Sequence, residues 1–83
     1  MSCTQKMTLE RRVAQRIFDE ADAQRITLKR LAELTGIEPM RIYHLSRLSG
    51  SLRIDEFYRM SKVLGIPMER FIAEAVADGQ REV

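Results

Sequence analysis

The 83-residue sequence has few of the side chains from which active sites and metal sites are built. It contains one cysteine, Cys3, one histidine, His44, and no tryptophan. A single cysteine excludes a disulfide within the chain, and Cys3 with His44 supplies fewer than the three or four ligands of a zinc site. The sequence also lacks a glycine-rich phosphate-binding loop, and its carboxylates are scattered. We therefore expect no catalytic activity, no metal and no cofactor.

Long apolar runs are absent as well. The longest, at residues 71–73 and 75–77, contain three residues each, whereas a membrane-spanning helix needs about 20 apolar residues. The first residues do not show the basic, apolar and small-residue pattern of a secretory signal. We therefore expect a cytoplasmic protein that does not contact a membrane.

The basic charge of the chain is concentrated in its centre. The net charge is +2, but residues 24–62 carry eight basic and four acidic side chains. Residues 1–23 are neutral overall, and residues 63–83 have an excess of two acidic groups. A basic centre indicates a face that binds a polyanion such as nucleic acid. A face that is merely solvated gives the same pattern, so the charge alone leaves both interpretations open.

Apolar residues recur at helical spacing along most of the chain. Leu9, Val13, Ile17 and Ala21, for example, are four residues apart and form one stripe of a helix. No segment alternates as a strand does, so we predict an all-α fold of five short helices. The first covers roughly 9–23, the second begins at 28, the third covers about 39–47, and the last two cover roughly 54–64 and 68–77.

The residues at the ends of these segments support the assignment. Thr8 and Thr27 are suited to accept the unpaired N–H groups at helix starts, and Pro39 suits a first helical position. Gly36 and Gly79 are expected to end the second and fifth helices, because glycine adopts positive φ without steric cost.

The length of the chain is that of one domain. We assign residues 8–77 to a single domain. Residues 1–7 are polar and are expected to be disordered, and residues 78–83 are expected to form a polar tail.

Residues 28–47 meet the requirements of a helix-turn-helix, which packs two short helices through a turn of three or four residues. Ala32 is small enough for the second helix to approach, and Gly36, four residues later, permits the turn. The positions that hold the two helices together are apolar or carry a methyl group; they are Leu31, Thr35, Ile37, Ile42 and Leu45. A generic helical bundle with a tight turn is the alternative.

The segments LKRLAELTGIEPMRIYHL (28–45) and IDEFYRMSKVLGIPMERF (54–71) resemble the Cro and phage-repressor class of helix-turn-helix domains, which have the lambda-repressor-like fold. The resemblance implies five helices around one core, with the third helix lying in the major groove of DNA. Two positions depart from the family pattern. Leu28 replaces a glutamine that commonly binds a phosphate, and Arg53 replaces a serine that commonly caps the fourth helix.

The outward face of the third helix follows from helical geometry. With Ile42 and Leu45 directed inward, Met40 and Arg47 point most directly away from the core. The first residues of a recognition helix reach base edges, and later ones meet the backbone. The resemblance puts Pro39, Met40, Tyr43 and His44 at base-reading positions. It puts Arg41, at the edge of the face, at a position that more often meets phosphate, and Arg41 is a base-reading candidate because its side chain could instead reach guanine. The phosphate-binding candidates are Lys29, Arg47, Ser49, Ser51 and Arg53.

These observations predict a sequence-specific regulator of transcription, of the Cro or small-repressor type, that binds double-stranded DNA. We expect a homodimer on a palindromic operator, since Ile72, Ala75 and Val76 leave surplus apolar surface on the fifth helix. Two alternatives remain. Met40 and Tyr43 suit a protein-interaction module that keeps the fold without reading DNA, and an antitoxin would combine DNA binding with a regulatory protein partner.

Overall fold

The computed structural model describes residues 8–81, and this part of the chain contains five α-helices and no strand. The helices are α1 (Leu9–Ala23), α2 (Leu28–Thr35), α3 (Pro39–Ser46), α4 (Ile54–Leu64) and α5 (Met68–Arg81). The predicted all-α fold of five short helices is therefore confirmed. The segment 1–7, which we expected to be disordered, lies outside the described residues.

The predicted ends of α1 and α2 are present. The backbone N–H of Arg11 donates to the Thr8 hydroxyl at 3.2 Å, and that of Arg30 donates to the Thr27 hydroxyl at 3.1 Å. Gly36 ends α2 with φ of +75° in the left-handed region. Its N–H donates to the carbonyl oxygen of Ala32 at 2.9 Å, so the backbone at Gly36 is hydrogen-bonded in the conformation that glycine favours.

Gly36→Ala is expected to lower the free energy of unfolding by about 1 kcal/mol, because an L-residue is strained at this φ. No atom lies within 4 Å of the Cβ that alanine would add, so the loss reports backbone conformation alone. Gly79→Ala is the matched control, because Gly79 has helical φ, and this variant is expected to lose no stability. Urea unfolding measures both variants. An unchanged Gly36→Ala midpoint would show that the turn tolerates a side chain.

Two helices end at a positive φ without glycine. Arg25 has φ of 61° after α1, and Leu48 has φ of 59° after α3. At both ends a backbone N–H reaches back five residues to satisfy a helix carbonyl. The N–H of Ile26 donates to the carbonyl oxygen of Ala21 at 2.9 Å. The N–H of Ser49 donates to the carbonyl oxygen of His44 at 3.0 Å. These hydrogen bonds offset part of the strain at Arg25 and Leu48.

One core holds the five helices together. Its buried apolar residues come from every helix and from the turn between α2 and α3, and Phe57 of α4 lies against Phe71 of α5 with ring centroids 6.2 Å apart. The core residues are Val13, Ile17, Ala21, Leu31, Ala32, Ile37, Ile42, Leu45, Phe57, Met60, Leu64, Phe71 and Ala75. Burial of the inward stripes of α2 and α3 fixes which faces of these helices remain outside.

The prediction that Gly79 ends the fifth helix is wrong, since α5 continues to Arg81. Glycine ends a helix only where the chain adopts positive φ, and Gly79 keeps helical φ. Contacts with α1 hold this last turn in place. The Arg16 guanidinium donates two hydrogen bonds of 2.7 Å to the Asp78 carboxylate, and Gly79 lies beside the buried side chain of Arg12. Residues 78–81 of the expected tail are therefore helical.

Candidate nucleic-acid interface

Two consecutive short helices, α2 and α3, form the centre of the candidate interface. They are joined by residues 36–38 and pack against each other around Ala32, Ile37 and Ile42, all of which are buried. The Thr35 hydroxyl donates to a carbonyl of α2 at 2.7 Å and accepts the N–H of Ile37 at 3.2 Å. The buried Thr35 hydroxyl thus stabilises the turn, and the buried side chain of Ile42 packs α3 against the core.

The outer face of α3 is exposed along its whole length. Pro39, Met40, Tyr43, His44 and Arg47 all lie on the surface, with Met40 58% and Tyr43 47% exposed. The Arg47 guanidinium lies 5.8 Å from the centroid of the Tyr43 ring, within the range of a cation–π contact. The structure therefore brings four of the five base-reading candidates together on one open surface, with Arg47 beside them.

Arg41, the fifth base-reading candidate, is partly buried and is hydrogen-bonded to groups outside that surface. Its guanidinium donates to both oxygens of Glu56, with Nε–Oε2 at 2.8 Å and Nη2–Oε1 at 2.9 Å. Nη2 also donates to the backbone carbonyl of Ser51. These hydrogen bonds engage Nε and Nη2 within the protein, so the structure does not bring Arg41 together with the other four base-reading candidates. Sequence spacing placed Arg41 at the edge of the face and could not show this partner.

Glu56 is a residue that the sequence reasoning missed. It is buried at the third position of α4, where its Oε1 also accepts the backbone N–H of Arg53 at 3.0 Å. The hydrogen bonds from Arg41 are the main reason that the pKa of Glu56 is lowered, and the bond from Arg53 adds to the effect. The sequence signal for such a cap is Ser, Thr, Asp or Asn followed three residues later by Glu or Gln, and this chain has only the second half of it, because Arg53 stands at the N-cap.

Glu56→Gln is expected to lower the free energy of unfolding at neutral pH by about 1.5–3 kcal/mol, the range for hydrogen bonds to charged groups. Because the pKa of Glu56 is lowered in the folded chain, its carboxylate stabilises the fold fully above about pH 4.3, the ordinary pKa of glutamic acid. That stabilisation is lost as the pH falls through the folded-state pKa.

The stability of Glu56→Gln is therefore expected to fall less on acidification than that of the native chain. Urea unfolding of both proteins between neutral pH and about pH 3 measures the difference. Equal acid dependence in the two proteins would contradict the assignment of Glu56 as an ionised partner of Arg41.

The phosphate-binding candidates surround the exposed face of α3. Lys29 lies in the first turn of α2, and the others lie in the segment between α3 and α4, residues 47–53, which we term the connecting loop. All of these candidates are exposed; they are Lys29, Arg47, Ser49, Ser51 and Arg53. Among residues 8–81, the charged side chains of Lys29, Arg47 and Arg53 form no ion pair, whereas Arg30 and Arg59 pair with carboxylates of their own helices.

The predicted apolar surface on α5 is smaller than the sequence suggested. Ile72 is 40% exposed and Val76 is 43% exposed, as expected. Ala75 is fully buried in the core and cannot contribute to an interface, which corrects the third dimer candidate. One helical turn separates Phe71 from Ala75, so both face α1 and the core, and the pair Ile72 and Val76 lies to one side.

Among residues 8–81, no three side chains of histidine, cysteine, aspartate or glutamate lie close enough to hold a metal ion together. None of the described helices has the length and apolar composition needed to cross a membrane. Cys3 lies outside the described residues.

Comparisons of the chain with protein-family models, curated proteins and solved structures find no match. The interpretation of the interface therefore depends on its geometry and charge.

Proposed function

We propose that this chain is a sequence-specific domain for double-stranded DNA, of the helix-turn-helix type, that regulates transcription by inserting α3 in the major groove. The observation that carries the proposal is the contrast between the two faces of α3. Ile42 and Leu45 are buried in the core, whereas Met40, Tyr43 and His44 are exposed. An α-helix fits the major groove, and a helix held by its inner face can present its outer residues to base edges.

The charges around α3 support this proposal. Three cations without an ion-pair partner among residues 8–81, Lys29, Arg47 and Arg53, flank the exposed face. Phosphate contacts fix the position of a protein on DNA, and contacts with bases select the sequence. The surface thus offers both kinds of contact, with the chemically varied side chains of Met40 and His44 in the position to select sequence.

Binding to mixed genomic DNA is expected to weaken steeply as salt is raised. Each neutralised phosphate contributes about −0.9 to the slope of log K against log salt concentration. Three such contacts per chain therefore give a slope of about −2.7, or about −5.4 for a dimer. Fluorescence anisotropy with a random-sequence duplex at several salt concentrations measures this slope. Binding that is absent, or independent of salt, would overturn the proposed function.

A homodimer on a palindromic site is part of the proposal. A two-fold dimer places two recognition helices about 34 Å apart, one turn of the duplex. Ile72 and Val76 of α5 are the exposed apolar residues that we assign to the dimer contact. Selection of bound sites from random DNA tests this arrangement, because a palindromic consensus is expected from a two-fold dimer and a single half-site from a monomer.

A protein-interaction module is the second candidate function. The exposure of Met40 and Tyr43 favours it, because both residue types are enriched at protein interfaces. An antitoxin would combine this activity with DNA binding and would co-purify with its partner. The salt titration separates the two classes, since only the DNA-binding protein is expected to show the steep slope.

A further inference from the structure

Arg41 and Glu56 connect three parts of the candidate interface. Arg41 belongs to α3 and Glu56 to α4, and their two hydrogen bonds of 2.8 and 2.9 Å join the helices side chain to side chain. We term this pair the clamp. The same two side chains also reach the backbone of the connecting loop, through the Ser51 carbonyl and the Arg53 N–H.

The loop is in close contact with the clamp at a third point. Gly50 has φ of +83°, and a Cβ added there would lie 3.3 Å from Nη1 of Arg41. The guanidinium is thus bordered by Gly50, Ser51 and Glu56. The clamp therefore holds residues 50–53 of the connecting loop relative to α3, whereas the N–H groups of Leu48 and Ser49 donate directly to carbonyls of α3 at 3.0 Å each.

The clamp links the connecting loop to the outer face of α3, and these two surfaces make different contacts with DNA under the proposed function. The part of the connecting loop held by the clamp carries Ser51 and Arg53, which are phosphate-binding candidates, and α3 carries Met40 and His44, which are base-reading candidates. Phosphate contacts set the register of a protein on the duplex. Base contacts form only if the reading helix lies at the correct offset from the phosphate contacts, and such sites need supporting side chains that hold this offset.

We propose that Arg41 and Glu56 are positioning residues for sequence discrimination, which hold the phosphate-binding loop in fixed register with the reading face of α3 and do not themselves contact DNA. This inference rests on the proposed function of the chain. The inference goes beyond the proposed function in one respect. Arg41, a cation on the proposed recognition helix, acts through the connecting loop and contributes nothing to the attraction of phosphates.

Two substitutions of Arg41 separate positioning from direct contact. Lysine keeps the charge but cannot donate to both carboxylate oxygens in the fork geometry of arginine, and glutamine removes the charge as well. If Arg41 bound a phosphate, Arg41→Gln would reduce the salt slope by about one and Arg41→Lys would preserve it. If Arg41 positions the loop, both variants keep the slope of the native protein and both lose discrimination.

The experiment measures affinity for the selected duplex and for a random duplex across a salt series, with native protein, Arg41→Lys, Arg41→Gln and Arg47→Gln. We expect both Arg41 variants to lower the ratio of the two affinities on the order of tenfold, through lost preorganisation, with an unchanged salt slope. Arg47→Gln is expected to lower both affinities and to reduce the slope by about one. Unfolding curves establish that each variant is folded at the assay temperature.

Arg16→Gln is the matched control. It removes a two-bond arginine–carboxylate pair of similar geometry, Arg16 with Asp78, which joins α1 to α5 and does not contact the connecting loop. It is expected to reduce stability and to leave the affinity ratio unchanged. Gly50→Ala changes no charge, but it strains the connecting loop at a positive φ and brings a Cβ to 3.3 Å from Nη1 of Arg41; it is expected to lower the ratio as the Arg41 variants do.

Several results would overturn this inference while leaving the proposed function intact. They are an unchanged affinity ratio in both Arg41 variants, an equal loss of the ratio in Arg16→Gln, or a salt slope reduced by about one in Arg41→Gln alone. Failure of the native protein to bind DNA with a salt-dependent affinity would instead overturn the proposed function, and this inference with it. The first measurement of the series therefore tells the two failures apart.

Discussion

Alanine at Met40 or at His44 is expected to weaken binding to the selected DNA site by about 1–3 kcal/mol each, the usual value of one base contact. Both side chains lie on the exposed face of α3, near its first two turns, where recognition helices meet base edges. Binding to random duplex is expected to change little, since those contacts form only with the correct bases. The salt slope is expected to stay that of the native protein, because no phosphate contact is removed.

Arg47→Ala is the control for this prediction. Arg47 is exposed one turn after Tyr43 and has its guanidinium above the Tyr43 ring, so we assign it to a phosphate. Its loss is expected to weaken binding to selected and random duplexes alike. Competition titrations with the two duplexes measure both effects. If triple alanine substitution at Met40, Tyr43 and His44 left the preferred sequence intact, α3 would not be the recognition helix.

Aspartate at both Ile72 and Val76 is expected to convert the proposed dimer to a monomer at micromolar concentration. Two charges per chain would be buried in an apolar contact, and desolvation of unpaired charges is costly. Binding to a palindromic duplex is then expected to weaken by at least about a hundredfold, since the two half-sites are no longer bound as one unit. Sedimentation equilibrium and titration of the palindrome measure the two effects.

Leu34→Asp supplies the comparison, because Leu34 is an exposed apolar residue of α2, outside the proposed dimer contact. It places the same charge on the surface and is expected to leave the oligomeric state unchanged. A native protein that sediments as a monomer both free and on the palindrome would refute the assignment of Ile72 and Val76. Dissociation of the dimer caused by Leu34→Asp would show that the dimer contact involves α2 and not α5.

The helices of the chain and most of their ends could be predicted from the sequence, because each is determined by residues close to it along the chain. Apolar residues every three or four positions predict the buried face of each helix, and Thr8 and Thr27 accept N–H groups three residues ahead. Gly36 ends α2 because the conformation of one residue, with no side chain, is sufficient to reverse the chain there. Each of these signals spans a single helix turn or less.

Reasoning from the sequence failed where the local backbone conformation is caused by contacts with another part of the fold. Gly79 was expected to end α5, but contacts of α5 with α1 keep this turn helical. Arg25 and Leu48 adopt positive φ although neither is glycine. No local preference of arginine or leucine predicts that conformation, and the helix ends impose it through hydrogen bonds to their last carbonyls.

The sequence by itself determined the five helices, the inward residues of α2 and α3, and therefore which side chains of α3 face outward. The tertiary structure alone decided which of the candidate side chains are paired or buried within the protein. It pairs Arg41 with Glu56, fifteen residues away, and buries Ala75 against α1. The physical reason is that helical periodicity fixes the direction of a side chain, whereas its partners depend on how separate helices pack, which spacing along the chain does not specify.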